Sequence, residues 1–409
     1  MEKLKHLLQT KFMIIMIVAI LILEMIFAYQ LMTVTAKLSD AVGISSEYYN
    51  SLGDMDRMAD VATEIKAMYE SQGITEDIDY EQCIDTALTC FVAATGDKYA
   101  RYASPEEYTE RLNELKEESV GIGVLIYYED NKGFYVTRVF EGSPADKAGI
   151  LVGDYIVSAD GVAVTDDNAS TFAKDVAGKP GEPVEIGVNR NGENITFSLV
   201  RNNYNTYSVS YDMIGSTAYI KIDSFTYNTD EEFIETMDKL SSQGITDYII
   251  DLRNNTGGVA ETVINMVDYM VPEGLIYESI GKSDIGNSKF YSDEKEFDGN
   301  VVILTNGLTA SASELFTQCL RDYDKAVVIG ENSYGKGTIV NEAQLKNGGS
   351  LLFSIGKYYT QSGTCVEGDG IAPDIEVSLD DGEDAIYYKL PYNEDNQIQS
   401  ALGYLQNKI

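Results

Sequence analysis

Two residues in this 409-residue chain stand in turns of the kind that serve catalysis: Ser311 in Thr309-Ala310-Ser311-Ala312-Ser313-Glu314, and Lys336 in Tyr334-Gly335-Lys336-Gly337. The only histidine, His6, precedes a long apolar run. A folded body with no other imidazole cannot assemble a Ser-His-Asp triad, a Cys-His dyad or a two-histidine zinc site. A hydrolase built from these residues would take a lysine as its base. A free lysine of pKa near 10.4 is neutral in about one molecule in 2,500 at pH 7. Poising such an amine near pKa 7 to 8 takes about 4 kcal/mol, which desolvation in a pocket can supply.

Each motif has a plain reading beside its chemical one. Ser311 opens a segment with Leu315, Phe316, Cys319 and Leu320 on one helical face, and Glu314 three residues on completes a capping box. The same serine, at a strand-to-helix elbow, would stand beside backbone amides able to stabilise an oxyanion. In Asp251-Leu252-Arg253-Asn254-Asn255-Thr256-Gly257-Gly258 the glycines either permit a tight turn or aim the Gly257 amide at a developing charge, at the carboxyl end of an apolar strand. Gly121-Ile122-Gly123-Val124 is weak by itself. At the entrance of a small β module it would form a nest for a peptide C-terminal carboxylate, the peptide adding as an extra strand.

Elements to position these residues are visible in the patterning. Apolar residues recur at helical spacing between about 45 and 115, among them Met58, Val61, Ile65, Cys83, Ala87 and Phe91. Ser104-Pro105-Glu106-Glu107 starts a further helix. From Gly121 to Arg201 short alternating strands and turns predict a β-rich module with a helix near Ala169 to Val176. Residues 205 to 380 alternate strands (218–222, 248–252, 301–304, 326–329) with helices (231–240, 260–270, 313–322), an α/β pattern. The last 25 or so residues read as a helical tail.

Composition sets the surroundings. Phe12 to Ala28, continuing weakly to Val34 behind Lys3, Lys5 and Lys11, predicts a single membrane span with the body outside the cytoplasm; Glu24 and the poor cleavage site at Val34-Thr35-Ala36 favour an uncleaved anchor. A formal charge of −36 makes nucleic acid a poor partner and gives a self-repelling, soluble surface. Cys83, Cys90, Cys319 and Cys365 are expected as small buried hydrophobes rather than bridges. No metal or other cofactor is implied.

Taken together, and in this order along the chain, these residues resemble the C-terminal processing peptidases, membrane-anchored serine proteases with an inserted PDZ domain and a crotonase-like α/β core. Gly96-Asp97-Lys98-Tyr99, Gly142-Ser143-Pro144-Ala145, Ala148-Gly149-Ile150 and Gly370-Ile371-Ala372-Pro373-Asp374 fall in family order with the motifs above. The resemblance implies a multidomain α/β protein: a cytoplasmic stub and anchor (1–36), an N-terminal helical region (45–116), a PDZ domain (117–203), a protease core (204–380) and a helical tail (381–409). It places the nucleophile on Ser311 and the lysine base on Lys336, 25 residues later. The oxyanion donors fall on the amides of Gly257 and Ala312, with Glu314 in support. Gly121, Ile122, Gly123 and Val124 take the peptide carboxylate. The implied activity is endoproteolysis of exported proteins recognised by their C-terminal tails, at the cell membrane, by a homodimer.

Three positions depart from the family pattern. Val340 stands where members commonly have a glutamine that orients the lysine, Thr256 replaces a proline, and Ala177 replaces an arginine of the PDZ segment. A valine makes no hydrogen bond, so a non-catalytic peptide-binding scaffold of the same fold is the alternative reading. Ser313 is the rival nucleophile.

Overall fold

The computed structural model describes residues 79–281, 286–380 and 387–407, with a few positions between 61 and 71. The anchor expected at 12–34 lies outside them. Among the described residues no helix is long and apolar enough to cross a membrane.

The chain forms two compact units. The first takes in the described residues up to Ser104 together with those described in 279–288 and 338–357. Its helix α1 (Tyr80–Ala93) begins at Asp79, whose carboxylate accepts the Gln82 amide. Strand β1 (Arg101–Ala103) pairs antiparallel with Ser350–Leu352, in a strand that also pairs with Thr338–Gln344. The N-terminal region is therefore not wholly helical, as the periodicity predicted. Three residues are too short to show a period, and their partner is remote in sequence. The cysteines also correct the expectation. Cys319 is buried, but Cys83 and Cys90 are exposed thiols, because Val92 is the one buried side chain among those described on α1.

The second unit contains the two bodies that matter for chemistry. Helix α2 (Pro105–Leu115) carries Glu106 and Glu107 in its first turn, as expected. After β2 (Glu118–Gly121) come β3 (Val124–Glu129), β4 (Gly133–Val139), helix α3 (Pro144–Ala148), β5 (Tyr155–Ala159), helix α4 (Ala169–Ala177), β6 (Pro183–Arg190), β7 (Glu193–Val200) and β8 (Asn202–Asn205). Strands β3-β4-β5-β6-β7 make an antiparallel sheet in that order, and β2 pairs with β8. Period-two alternation buries Phe134, Val136, Ile156, Val184, Ile186, Val188 and Leu199 against Ile122, Ile150, Phe172 and Val176. Strand β3 stands at the end of the order, with β4 as its one neighbour there.

The α/β body follows the predicted alternation to within a residue or two. Strands β9 (Val209–Ile214), β10 (Thr217–Ile222), β11 (Asp247–Asp251), β12 (Asn300–Thr305), β13 (Ala326–Gly330) and β14 (Ile375–Glu376) form one sheet in chain order. All neighbours are parallel except β9 and β10. Helices α5 (Thr229–Ser242), α6 (Ala260–Met270) and α7 (Ala312–Asp322) pack together, and α8 (Asn396–Gln406) lays Ile398, Ala401 and Leu405 on Ile249, Val302, Leu304 and Ile329. Tyr248, Ile250, Val301 and Ile303 point the other way and are equally buried, so both faces are covered, as parallel strands require. The expected helical tail is α8 plus a single helical turn at Tyr387–Lys389.

Phe316 on α7 is fully buried, its ring 5.9 Å from that of Phe233 and 6.1 Å from that of Phe225. Phe316→Ala is expected to destabilise the protein by about 3–5 kcal/mol, measured as a lowered midpoint in urea unfolding.

Candidate active site

Ser311 sits between β12 and α7 with φ 59° and ψ −115°, a backbone conformation rare for a residue with a side chain. Strain of this kind costs about 1–3 kcal/mol and persists where the surroundings over-determine it. Here they do. The Ser311 amide donates to Glu314 Oε2 at 2.8 Å, and the Ala310 amide donates to the Asn255 carbonyl at 3.0 Å.

Glu314 has no exposed surface. Besides the Ser311 amide its carboxylate accepts the Gly335 amide (2.7 Å), the Lys336 amide (2.8 Å) and the Ser333 hydroxyl (2.5 Å). One buried carboxylate therefore ties the serine turn to the lysine turn. Tyr358 adds a second tie: its hydroxyl donates towards the carbonyls of both Ser311 (3.4 Å) and Lys336 (3.5 Å). Burial, reinforced by the Glu314 charge, pushes the Tyr358 phenol well above its ordinary pKa, so it stays a donor.

The Asp251–Gly258 run reaches the same place. A Cβ added to Gly257 would lie 2.7 Å from the Ala310 carbonyl oxygen, 2.9 Å from the Ala312 nitrogen and 2.9 Å from Ser311 Cβ. With φ of +102° as well, the position admits only glycine. Ala312 is the first residue of α7, so helix geometry leaves its amide without an intrahelical acceptor. The Gly257 amide is different. It donates to Asn255 Oδ1 at 2.9 Å, an Asx turn that occupies the donor expected for an oxyanion. Asn255 is fully buried, and its side-chain amide donates to the Ile222 carbonyl.

Ser313, the rival nucleophile, is fully buried and donates its hydroxyl to the Asn255 carbonyl at 2.9 Å. It braces the turn instead of facing a substrate. Val340 lies in the first unit's Thr338–Gln344 strand, opposite Ser354 at an irregularity in the pairing.

Behind the turn, Arg253 is 2% exposed. Its guanidinium donates to Asp251 (2.7 Å), Asp395 (2.7 Å) and Gln397 (2.8 Å). Burial alone would raise the Asp251 pKa; the Arg253 and Lys221 charges outweigh it and hold the carboxyl well below the usual range.

In the β module, Gly121 (φ 145°) and Gly123 (φ 85°) turn the chain between β2 and β3. The Ile122 carbonyl accepts the Ala145 amide, and the Gly123 carbonyl accepts the Phe140 amide and the Ser143 hydroxyl. Gly121, Ile122 and Gly123 are all buried. Val124 begins β3 beside them. At Ala177 no charge is available; Arg201 instead caps the end of α4 through the Val176 carbonyl, and Arg138 on β4 reaches Asp223 of the α/β body at 2.7 Å.

Asn255, Tyr358 and Ser333 were not singled out from sequence. Asn255 lay inside a recognised run, whereas Tyr358 and Ser333 belong to no motif and are found only through the fold.

Residues 216–377 match the model of peptidase family S41, and residues 116–200 match that of the PDZ domain. The chain belongs to the C-terminal processing peptidases of family S41. Among its relatives, the carboxy-terminal-processing protease of Bartonella bacilliformis is 28% identical over 340 residues, covering 80% of this chain and 76% of that one. The carboxy-terminal processing protease CtpA of Bacillus subtilis is 29% identical over 348 residues, covering 84% and 72%. A putative S41 protease of Bacteroides fragilis shares the fold, with a TM-score of 0.59 at 17% identity over 82% of this chain and 92% of that one. The chain is thus a serine-type peptidase with a PDZ domain, and the scaffold alternative is not favoured.

Glu314→Gln replaces one carboxylate oxygen by an NH2 group, which would face either the Ser311 and Lys336 amides or the Gly335 amide and Ser333 hydroxyl, so at least one backbone donor loses its acceptor. Hydrogen bonds to a charged group are worth about 1.5–3 kcal/mol each, so unfolding free energy is expected to fall by at least about 2 kcal/mol. Peptide hydrolysis should fall by more than about 100-fold. Urea unfolding and steady-state kinetics on the same preparation check both.

Proposed function

We propose that this S41 peptidase cleaves exported proteins whose C-terminal tails dock on β3, with the carboxylate held by the amides at Gly121, Ile122, Gly123 and Val124. The tail adds as a strand to the β3 edge, delivering upstream residues to the site. Ser311 Oγ attacks the scissile carbonyl carbon while Lys336 Nζ, neutral at that moment, takes the hydroxyl proton. The tetrahedral oxyanion is held by the amides of Ala312 and Gly257, the latter leaving Asn255 Oδ1. Collapse expels the amine, which receives the proton from Lys336, and water then releases the acyl group by the same relay.

The observation that carries this reading is the shared Glu314 carboxylate, which holds the elbow of Ser311 and the turn of Lys336 in one place. A capping role alone would not need the second turn. The remaining parts of the proposal are the span at 12–34, which tethers the peptidase to the cell membrane with its body outside the cytoplasm, and a homodimer. The apolar run behind three lysines supports the tether.

A serine-reactive fluorophosphonate is expected to label the wild-type protein at Ser311, located by peptide mass spectrometry, and to label neither Ser311→Ala nor Lys336→Ala. Label on Ser313, or undiminished labelling of Lys336→Ala, overturns the dyad. A tail peptide with a free C-terminus should bind more than about tenfold tighter than its C-terminal amide, one charge-assisted anchor being worth that much.

A further inference from the structure

Tyr358 takes no part in the proton transfers above, yet it closes a frame around the reacting pair. The amides of Ser311 and Lys336 both donate to one oxygen of Glu314, Oε2, at 2.8 Å each. Their carbonyls both face the Tyr358 hydroxyl, at 3.4 Å for Ser311 and 3.5 Å for Lys336. Each residue is therefore held at its N–H by the same carboxylate oxygen and at its C=O by the same phenol. The positions of N, Cα and C fix the direction of Cβ, so this frame sets where the Ser311 and Lys336 side chains begin.

The phenol is itself fixed. Tyr358 is 4% exposed, and its own amide donates to the Gly337 carbonyl at 3.1 Å. Its ring meets that of Tyr277 edge-on with centroids 6.2 Å apart, and Tyr277 stacks on Phe290 at 4.8 Å. The titratable groups around the hydroxyl are Glu314, Cys319, Cys365 and Glu367; together with burial they disfavour a phenolate, so one proton stays available. The lysine turn has little room to withdraw from it. A Cβ on Gly337 would lie 2.6 Å from the Glu367 nitrogen and 3.0 Å from Cys365 Sγ.

That one proton faces two acceptors, both near the outer limit for a hydrogen bond, which is the geometry of a three-centre contact. At position 340 a valine stands where the family pattern has a glutamine that orients the lysine, and it cannot bond to the Lys336 amine. We infer that Tyr358 is a positioning residue of the Ser-Lys pair: sharing its hydroxyl proton between the two carbonyls, it fixes the approach of Lys336 Nζ to Ser311 Oγ through the backbone. The inference rests on the proposed roles of Ser311 and Lys336.

Kinetics on the full-length chain decide it, with one scissile peptide carrying a free apolar C-terminus and with rates expressed per site that fluorophosphonate labels to completion. Tyr358→Phe keeps the ring and removes the proton. It is expected to lower kcat per labelled site about tenfold, the scale of one hydrogen bond, with KM within about twofold. The acid limb of its kcat profile should move up by at least about half a pH unit, because an amine placed less firmly against the serine gains water, and water favours the charged form. A role in stability alone would reduce the number of labelled sites and leave kcat per site and the limb in place. That result, a lowered kcat with the limb unmoved, or a change in KM alone each overturn the positioning role. Labelling of the wild-type protein separates the failures. Label at Ser311 that is lost in Lys336→Ala, with Tyr358→Phe unaffected, removes the role of Tyr358 alone, whereas a wild-type protein that does not label at Ser311 removes the pair and its positioning residue together.

Discussion

A carboxylate taken wholly out of water must be met by hydrogen-bond donors, and Glu314 is met by the amides of Ser311, Gly335 and Lys336 and the hydroxyl of Ser333. This requirement organises the site. Two turns that follow different strands, β12 and β13, have to converge on one anion, and each gives up backbone freedom to do so. Ser333 and Gly335 in turn need the carboxylate, because their own burial would otherwise leave their donors unsatisfied. The arrangement is self-consistent in a way that a surface capping box is not.

The strain at Ser311 is intelligible against that background. A positive φ at a serine is tolerated because its amide is bound on one side and Ala310 is pinned to the Asn255 carbonyl on the other. Gly257 must approach within van der Waals contact, which excludes a Cβ. Asn255 thus serves both the elbow and the turn: its carbonyl receives Ala310 and Ser313, and its side chain receives Gly257. Further back, Asp251 and Arg253 form a buried charged layer whose members are mutually paired, the condition under which such charges are tolerated.

Much of this was legible in the sequence. The alternation of apolar strands and helices from 205 to 380 gave the α/β body, because strands buried on both faces read as continuous apolar runs such as Tyr248-Ile249-Ile250. The ordered motifs located Ser311, Lys336 and Gly257, since glycine and small residues are demanded wherever backbones crowd. What stayed hidden depends on partners distant in the chain. The Arg101–Ala103 strand exists only by pairing with Ser350–Leu352. Glu314 is a helix cap in isolation, and becomes a hub only when the fold brings Ser333 to Lys336 against it. The helical turn at Tyr387–Lys389 is too short to show a period. The capture of the Gly257 amide by Asn255 is likewise a choice between two acceptors that spacing cannot reveal.

Amide hydrogen exchange at Ser311, Gly335 and Lys336, resolved residue by residue in the native protein, tests the central claim most directly. Three amides that donate to one buried carboxylate should exchange only with global unfolding, as slowly as the strands β11 and β12. Exchange of any of them at the rate of an open surface loop, while β11 and β12 remain protected, would contradict the claim that Glu314 holds the two turns together.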